Sequence, residues 1–395
     1  MNEYNKIQIQ PFSTASNKKN YLIQCNGKFY EASLLIVKLI YLLRTDEPQK
    51  EEAFAVFAKE NNISNEQVLF LISNVINPIL HPSSKEKVFI YQKELFSTQT
   101  IEKYSNKLCV LFDKKIIYAL FSVFSLLNIY FFYTTKNLFE FSSNITVLTI
   151  LVIISFTLIS SIVHELGHAS ACRHYKISHG GIGIGLYINF PVFYTDVTEA
   201  WKLHQKDRII INLAGVYFQS IIISLLIIIF LISKHDLIRY LILITNIGFL
   251  VTLNPFFKFD GYWIISDLLG VPNLRQKTKE LLSYFFKLFK NRKRTSVPFL
   301  LELNKSKKII LLFYTVIVNV FFVFYFLYVI PKFIIRFIDT YPTGISNLIS
   351  YISNNEVPPI SLVFNLMMQL LFLIIIFLFV YNFIHSFIRK NDRAK

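Results

Sequence analysis

His164-Glu165-Leu166-Gly167-His168 spells H-E-x-x-H. On a helix, residues four apart share a face, so both imidazoles can bind one Zn²⁺. Glu165 falls beside that face and can take a proton from a water held by the metal. The chemistry this predicts is metal-assisted hydrolysis. The plainer alternative is a helix with two surface histidines flanking a carboxylate. Location weighs against it: residues Ile145 to Ile162 are almost all apolar. Ionisable groups at membrane depth are costly and tend to be kept for function.

Two histidines do not complete a catalytic zinc site, which takes three protein ligands and one open position. A second apolar stretch ends in Asn254-Pro255-Phe256-Phe257-Lys258-Phe259-Asp260-Gly261. Asp260 stands at the end of that span, at the depth expected for His168. Pro255 and Gly261 break helical regularity beside it, as broken spans do around sites. A carboxylate on a facing helix suits a bundle-core metal site. Asp196, Glu199 and Asp267 are rival carboxylates, and His174 and His179 are rival imidazoles just past the motif. Asp260 has its own structural alternative, pairing with Lys258 or capping the next turn.

The elements that must position these groups are membrane helices. The chain has 395 residues, 53% of them hydrophobic, including 40 Phe and 22 Tyr. With a mean hydropathy of +0.46, that composition predicts an α-helical polytopic membrane protein rather than a soluble globule. Net charge is +16, but the Lys and Arg cluster beside apolar spans, so membrane topology explains them and nucleic acid is not expected as a partner. The three cysteines, Cys25, Cys109 and Cys172, are scattered without C-x-x-C, so no thiolate metal site or disulfide framework is expected. The polar N-terminus predicts no cleavable signal peptide.

Hydropathy predicts six spans, near 116–134, 145–165, 209–233, 238–257, 309–330 and 362–386. Lys and Arg concentrate before the first span, between the second and third, in 262–308 and in the tail, whereas 135–144, 234–237 and 331–361 are poorer in them. The expected localisation is a multi-pass bacterial cell-membrane protein with both termini cytoplasmic. Residues 1–100 read as a cytoplasmic α+β winged-helix-like domain. Asn26-Gly27 marks a two-residue hairpin turn, and helical patterns follow near 32–44, 48–60 and 64–79. Asp46, Glu47 and Pro48 open the second helix, and Ser64 with Gln67 fits a capping box for the third. Acidic residues dominate 46–66, which argues against phosphate binding. Residues 101–270 form the core, 271–308 a basic loop with an interfacial helix near 277–291, and 309–395 two further spans and a basic tail. Alternation over 182–190 predicts a short membrane-associated β segment. Gly183 and Gly185 there would admit another backbone. Two readings stand: a packed re-entrant hairpin, or an edge strand that holds an extended substrate.

The pair of motifs, H-E-L-G-H ending one span and N-P-F-F-K-F-D-G ending a span two further along, resembles the site-2 intramembrane zinc metalloproteases. The resemblance implies Zn²⁺ as cofactor, His164, His168 and Asp260 as metal ligands, and Glu165 as the catalytic residue. Pro255 directly after Asn254 and Phe259 before Asp260 depart from the family pattern. Ala214-Gly215-Val216-Tyr217-Phe218-Gln219 is similar to the family's A-G-P-x-x-N, with Gln219 in the Asn position, which implies Gln219 and Asn254 as candidate substrate-binding residues. Phe193-Tyr-Thr-Asp196, Trp201 and the run to Trp263 are similar to a peptide zinc metalloprotease branch that accompanies ribosomally made, modified peptides and bacteriocins. That branch implies a peptide or membrane-protein substrate, and a leader-peptide-binding role for residues 7–85. The alternatives are a non-enzymatic exporter or immunity protein with a structural zinc, and a regulatory protease that releases a membrane-tethered transcription factor.

Overall fold

The computed structural model describes residues 3–14, 19–45, 50–81, 91–136, 138, 146–187, 190–289 and 303–392. The amino-terminal part begins with an antiparallel sheet in the order β1-β2-β3, formed by β1 (Gln8–Phe12), β2 (Asn20–Cys25) and β3 (Lys28–Ser33). Asn26 and Gly27 join the last two strands, both at positive φ (51° and 72°), the backbone a tight two-residue hairpin needs. Helices α1 (Leu34–Arg44), α2 (Lys50–Glu60) and α3 (Asn65–Leu71) follow. Ser64 caps α3 in a reciprocal capping box with Gln67. A π turn over Ile72–Ile76 leads into the short α4 (Asn77–Leu80). Ile23, Leu39, Ile40, Val68 and Ile76 are fully buried between sheet and helices. The proposed opening of α2 by Asp46, Glu47 and Pro48 lies outside the described residues. Strand β1, which contains Pro11, was not expected from the sequence; it is an edge strand, where proline is tolerated.

A second sheet, in the order β4-β5-β6, joins β4 (Gln92–Phe96) to β5 (Ile182–Tyr187) and β6 (Phe190–Thr195), all antiparallel. Of the two readings of 182–190, the strands fit the hairpin, and its second strand runs past the expected segment to Thr195. Chain before residue 100 already contributes to this sheet. Helix α5 (Thr98–Leu108) follows β4.

The remaining elements are α6 (Lys114–Thr134), α7 (Val147–His174), α8 (Gln205–Ser233), α9 (Asp236–Thr252), α10 (Asp260–Leu269), α11 (Leu274–Phe289), α12 (Lys305–Phe324), α13 (Ile330–Ser353) and α14 (Ile360–Asp392). Among the described residues five helices are long and apolar enough to cross a membrane, where six spans were expected. The difference is α9: its 17 residues rise only about 25 Å, short of a hydrocarbon core of about 30 Å. A second difference concerns 331–361, expected as a loop. A π turn at Tyr325–Val329 carries α12 into α13, so helix runs on to Ser353. Pro331 directly follows the π turn, whose wider winding accommodates a residue with no N–H to give. The helix expected near 277–291 is present as α11, whose described part ends at Phe289.

Helix α8 is the central one of the apolar helices: 61% of its apolar stretch is buried, against 11% for α6 and for α7. The outward faces of α6 and α7 carry exposed Leu126, Ile129, Leu148 and Leu151, as expected for helices whose solvent is lipid.

Candidate metal centre

Helix α7 starts with Thr146 capping it and runs unbroken through the motif. It places His164, Glu165 and His168 in its buried last third. The two imidazoles lie one turn apart with Nε2 atoms 3.1 Å from each other. Asp260 Oδ2 stands 3.0 Å from His164 Nε2 and 3.3 Å from His168 Nε2. Three donor atoms therefore converge on one point. Ligand atoms about 2.0–2.1 Å from a tetrahedral zinc stand about 3.3 Å apart, so the cluster fits the ion in size and in donor chemistry. Burial opposes charge on Asp260, but His168 and His164 in their protonated forms outweigh it and hold the carboxyl below its ordinary range.

Each of the three side chains has its position set by the fold. His168 Nδ1 donates to the carbonyl of Ile211 in α8 at 2.7 Å, which leaves the Nε2 lone pair free for a metal. Gly215 lies against His164, and a Cβ there would overlap the imidazole. The Ala214-Gly215 step thus lets α8 press on α7. Asp260 is the first residue of α10, not the last of the preceding helix as expected. Helix α9 stops at Thr252, and the chain turns before α10 begins. Asn254 Oδ1 accepts from Phe256 N–H at 2.8 Å within that turn. Tyr314 donates to the Pro255 carbonyl (2.8 Å) and Arg275 to that of Phe256 (3.1 Å). Gly261 packs so tightly on the Leu253 carbonyl that a Cβ has no room.

The cluster opens on a cavity of about 750 Å³ lined by His164, Glu165, His168, Asp260, Gln219 and Asn212, with one wall from β6 residues Pro191–Thr195. Gln219 is buried there, and its Oε1 has no hydrogen-bond partner among the described residues. Asn254 does not line this cavity; its side chain holds the turn. Gly183 and Gly185 differ from expectation too. Strand β5 is the middle strand: Gly183 pairs with both Glu94 and Tyr194, and Gly185 with both Gln92 and Val192. Both β5 edges are filled, so these glycines offer none to a ligand. Alternation within one strand cannot reveal which neighbours flank it. The outer strand facing the cavity is β6.

The rival ligands are engaged elsewhere. His179 Nε2 lies 3.0 Å from Ser105 Oγ, and its Nδ1 donates to the Gly180 carbonyl. His174 packs against Phe112. Asp196 accepts from Thr198, and Glu199 pairs with Lys202. Asp267 is ion-paired with Arg208 at 2.6 Å. Burial pushes the Asp267 carboxyl up, against the opposing pull of Arg208 and Asn212. Sequence reasoning overlooked Asn212, Thr195 and the Ile211 carbonyl. Thr195 Oγ1 donates to the Glu165 carbonyl at 3.2 Å, tying β6 to α7. A polar Asn212 within an apolar helix was the available signal.

Over 124 residues the chain is 27% identical to the "Putative peptide zinc metalloprotease protein YydH" of Bacillus subtilis (strain 168). The match covers 31% of this chain and spans about half, 49%, of that relative's own length. No family model matches the chain, and no solved structure matches it. The chain is a mostly helical protein with apolar helices long enough to cross a membrane, a buried His-His-Asp group able to bind a metal, and partial similarity to a protein named as a zinc metalloprotease.

Proposed function

We propose that this chain is an intramembrane zinc metalloprotease that hydrolyses a peptide bond in a membrane-associated peptide or protein. The observation that carries the reading is the convergence of His164, His168 and Asp260 beside Glu165 on an open cavity. Structural zinc sites close with four protein ligands; three ligands facing a cavity suit catalysis. Zinc held by these residues supplies Lewis acidity and makes water a competent nucleophile near neutral pH.

The chain's own groups do the rest. Glu165 takes the proton of the attacking water and delivers it to the leaving amine. The Ile211 carbonyl keeps His168 in the right tautomer. Gln219 presents its unpartnered Oε1 to a backbone N–H of the bound peptide. A helical substrate hides its carbonyls in its own hydrogen bonds, so it must be held extended. The outer edge of β6 is placed to pair with it.

The relative's name includes the word peptide, and the proposed substrate is a ribosomally made peptide undergoing maturation. The amino-terminal sheet and helices would bind its leader segment and raise its effective concentration at the site. In this reading the protein is a bacterial cell-membrane protein with both termini cytoplasmic, and α9 crosses as a short sixth segment.

The test compares, by mass spectrometry, peptides from cells expressing wild type or Glu165→Gln, each with its native gene neighbourhood. Peptide termini present only with the wild type support the reading. Identical profiles from two stably inserted, zinc-loaded proteins overturn it.

A further inference from the structure

Asp260 is the one ligand not on α7, and its helix is short. Helix α10 has 10 residues, too few to be stable alone, so Asp260 stands where its helix is held. The hold lies two turns further on, at Asp267. Its carboxylate accepts from Arg208 Nε at 2.7 Å and from Asn212 Nδ2 at 2.9 Å. Arg208 and Asp267 are both buried, 5% and 6% exposed. Arg208 also donates to the Leu203 carbonyl at 3.1 Å. Arg208, Ile211 and Asn212 occupy one turn of α8. That single turn therefore grips the Asp260 helix and, through the Ile211 carbonyl, orients His168.

The guanidinium is closed off from outside this core. Its carbon lies 5.3 Å from the ring of Phe12 in β1 and 5.1 Å from the ring of Trp201. Phe12 and Trp201 touch, with centroids 6.0 Å apart, and Trp201 meets Trp263 of α10 edge-on at 6.2 Å. Gln205 at the start of α8 donates to the Ser13 carbonyl at 2.8 Å. The amino-terminal sheet is thus seated on the clamp itself. An ion pair dried by aromatic rings holds its geometry more firmly than one in water.

We propose that the Arg208–Asp267 pair, capped by Phe12, is a positioning device that sets Asp260 against His164 and His168, so that the seating of the amino-terminal sheet governs the metal site. The inference rests on the metal-centre reading above. Arg208 and Phe12 are positioning residues and touch neither metal nor substrate. Anything that lifts Phe12 from the guanidinium loosens the third ligand.

The test uses the full-length chain in nanodiscs, titrated with Zn²⁺ and separately with Co²⁺ as a spectroscopic probe. Wild type, Arg208→Lys, Phe12→Ala and Asp260→Asn are compared, with thermal unfolding followed in parallel. Arg208→Lys keeps the charge but loses the fork that Asp267 accepts. Its expected zinc affinity is about 10–100-fold below wild type, with a cobalt spectrum shifted toward that of Asp260→Asn. Phe12→Ala leaves the Arg208–Asp267 pair itself intact and is expected to move both readouts the same way by a smaller factor. Wild-type affinity and cobalt spectrum in both variants overturn the proposal, even if their thermal midpoints fall. Failure of the wild type itself to bind either metal removes the metal-centre reading, and this proposal with it.

Discussion

The Nδ1–H of His168 points at the carbonyl of Ile211, 2.7 Å away on the neighbouring helix. This bond turns the other nitrogen toward His164 and Asp260 and settles which lone pair a metal meets. It also joins α7 to α8 at the level of the His-His-Asp group. A histidine so oriented differs from a free one in having a single useful tautomer.

The three converging side chains are expected to act as one metal site. His164→Ala, His168→Ala and Asp260→Ala each lose most bound zinc, read as zinc per chain by elemental analysis of purified protein. Glu165→Gln keeps full zinc and loses about 10²–10⁴-fold in cleavage rate, the usual worth of a general base. Zinc retained at wild-type level by Asp260→Ala contradicts the assignment of the third ligand.

Gly215 faces the His164 ring where a Cβ would overlap it. Gly215→Ala is expected to displace the imidazole or part α7 from α8, at about 1–3 kcal/mol of overpacking. Zinc binding should weaken while helical circular dichroism stays unchanged. An unaltered zinc affinity would show that α8 does not press on the His164 ring at Gly215.

Gln219 carries a buried amide oxygen with no partner among the described residues. Gln219→Leu is expected to keep zinc and lower kcat/KM by about 3–10-fold, the worth of one hydrogen bond. Zinc loss in this variant would instead assign the residue to the metal's surroundings.

If α9 crosses the membrane despite its 17 residues, reporter fusions after Lys114 and after residue 304 should both read cytoplasmic. Reporters on opposite sides would leave five crossings and place the two ends of the chain in different compartments.

Much of this site was legible in the sequence, for reasons that differ by residue. The i, i+4 spacing of His164 and His168 is a helix property, so their shared face needed no tertiary information. Asp260 was legible as a residue but not in its setting. Hydropathy puts it at the end of a span, whereas the chain breaks after Thr252 and starts a new helix at Asp260. Pro255 announced a break, but whether helix resumes beyond it depends on contacts such as Tyr314 to the Pro255 carbonyl, 59 residues apart in sequence. Gly183 and Gly185 misled because the partners of a strand are tertiary facts, and β4 lies about ninety residues upstream. The continuation of α12 into α13 was missed because a π turn absorbs Pro331, which reads locally as a stop. The clamp at Arg208 was invisible for the same reason: Phe12 and Asp267 come from distant segments, and only Trp201 is a neighbour in sequence.

The most direct measurement incubates membranes containing the wild-type chain and its native neighbours in ¹⁸O-labelled water, before and after chelation and after zinc is restored. The account predicts new peptide carboxyl termini that carry ¹⁸O, disappear on chelation, return with zinc and are absent with zinc-loaded Glu165→Gln. The same labelled termini appearing with Glu165→Gln, or persisting after zinc is stripped, would contradict hydrolysis at this centre.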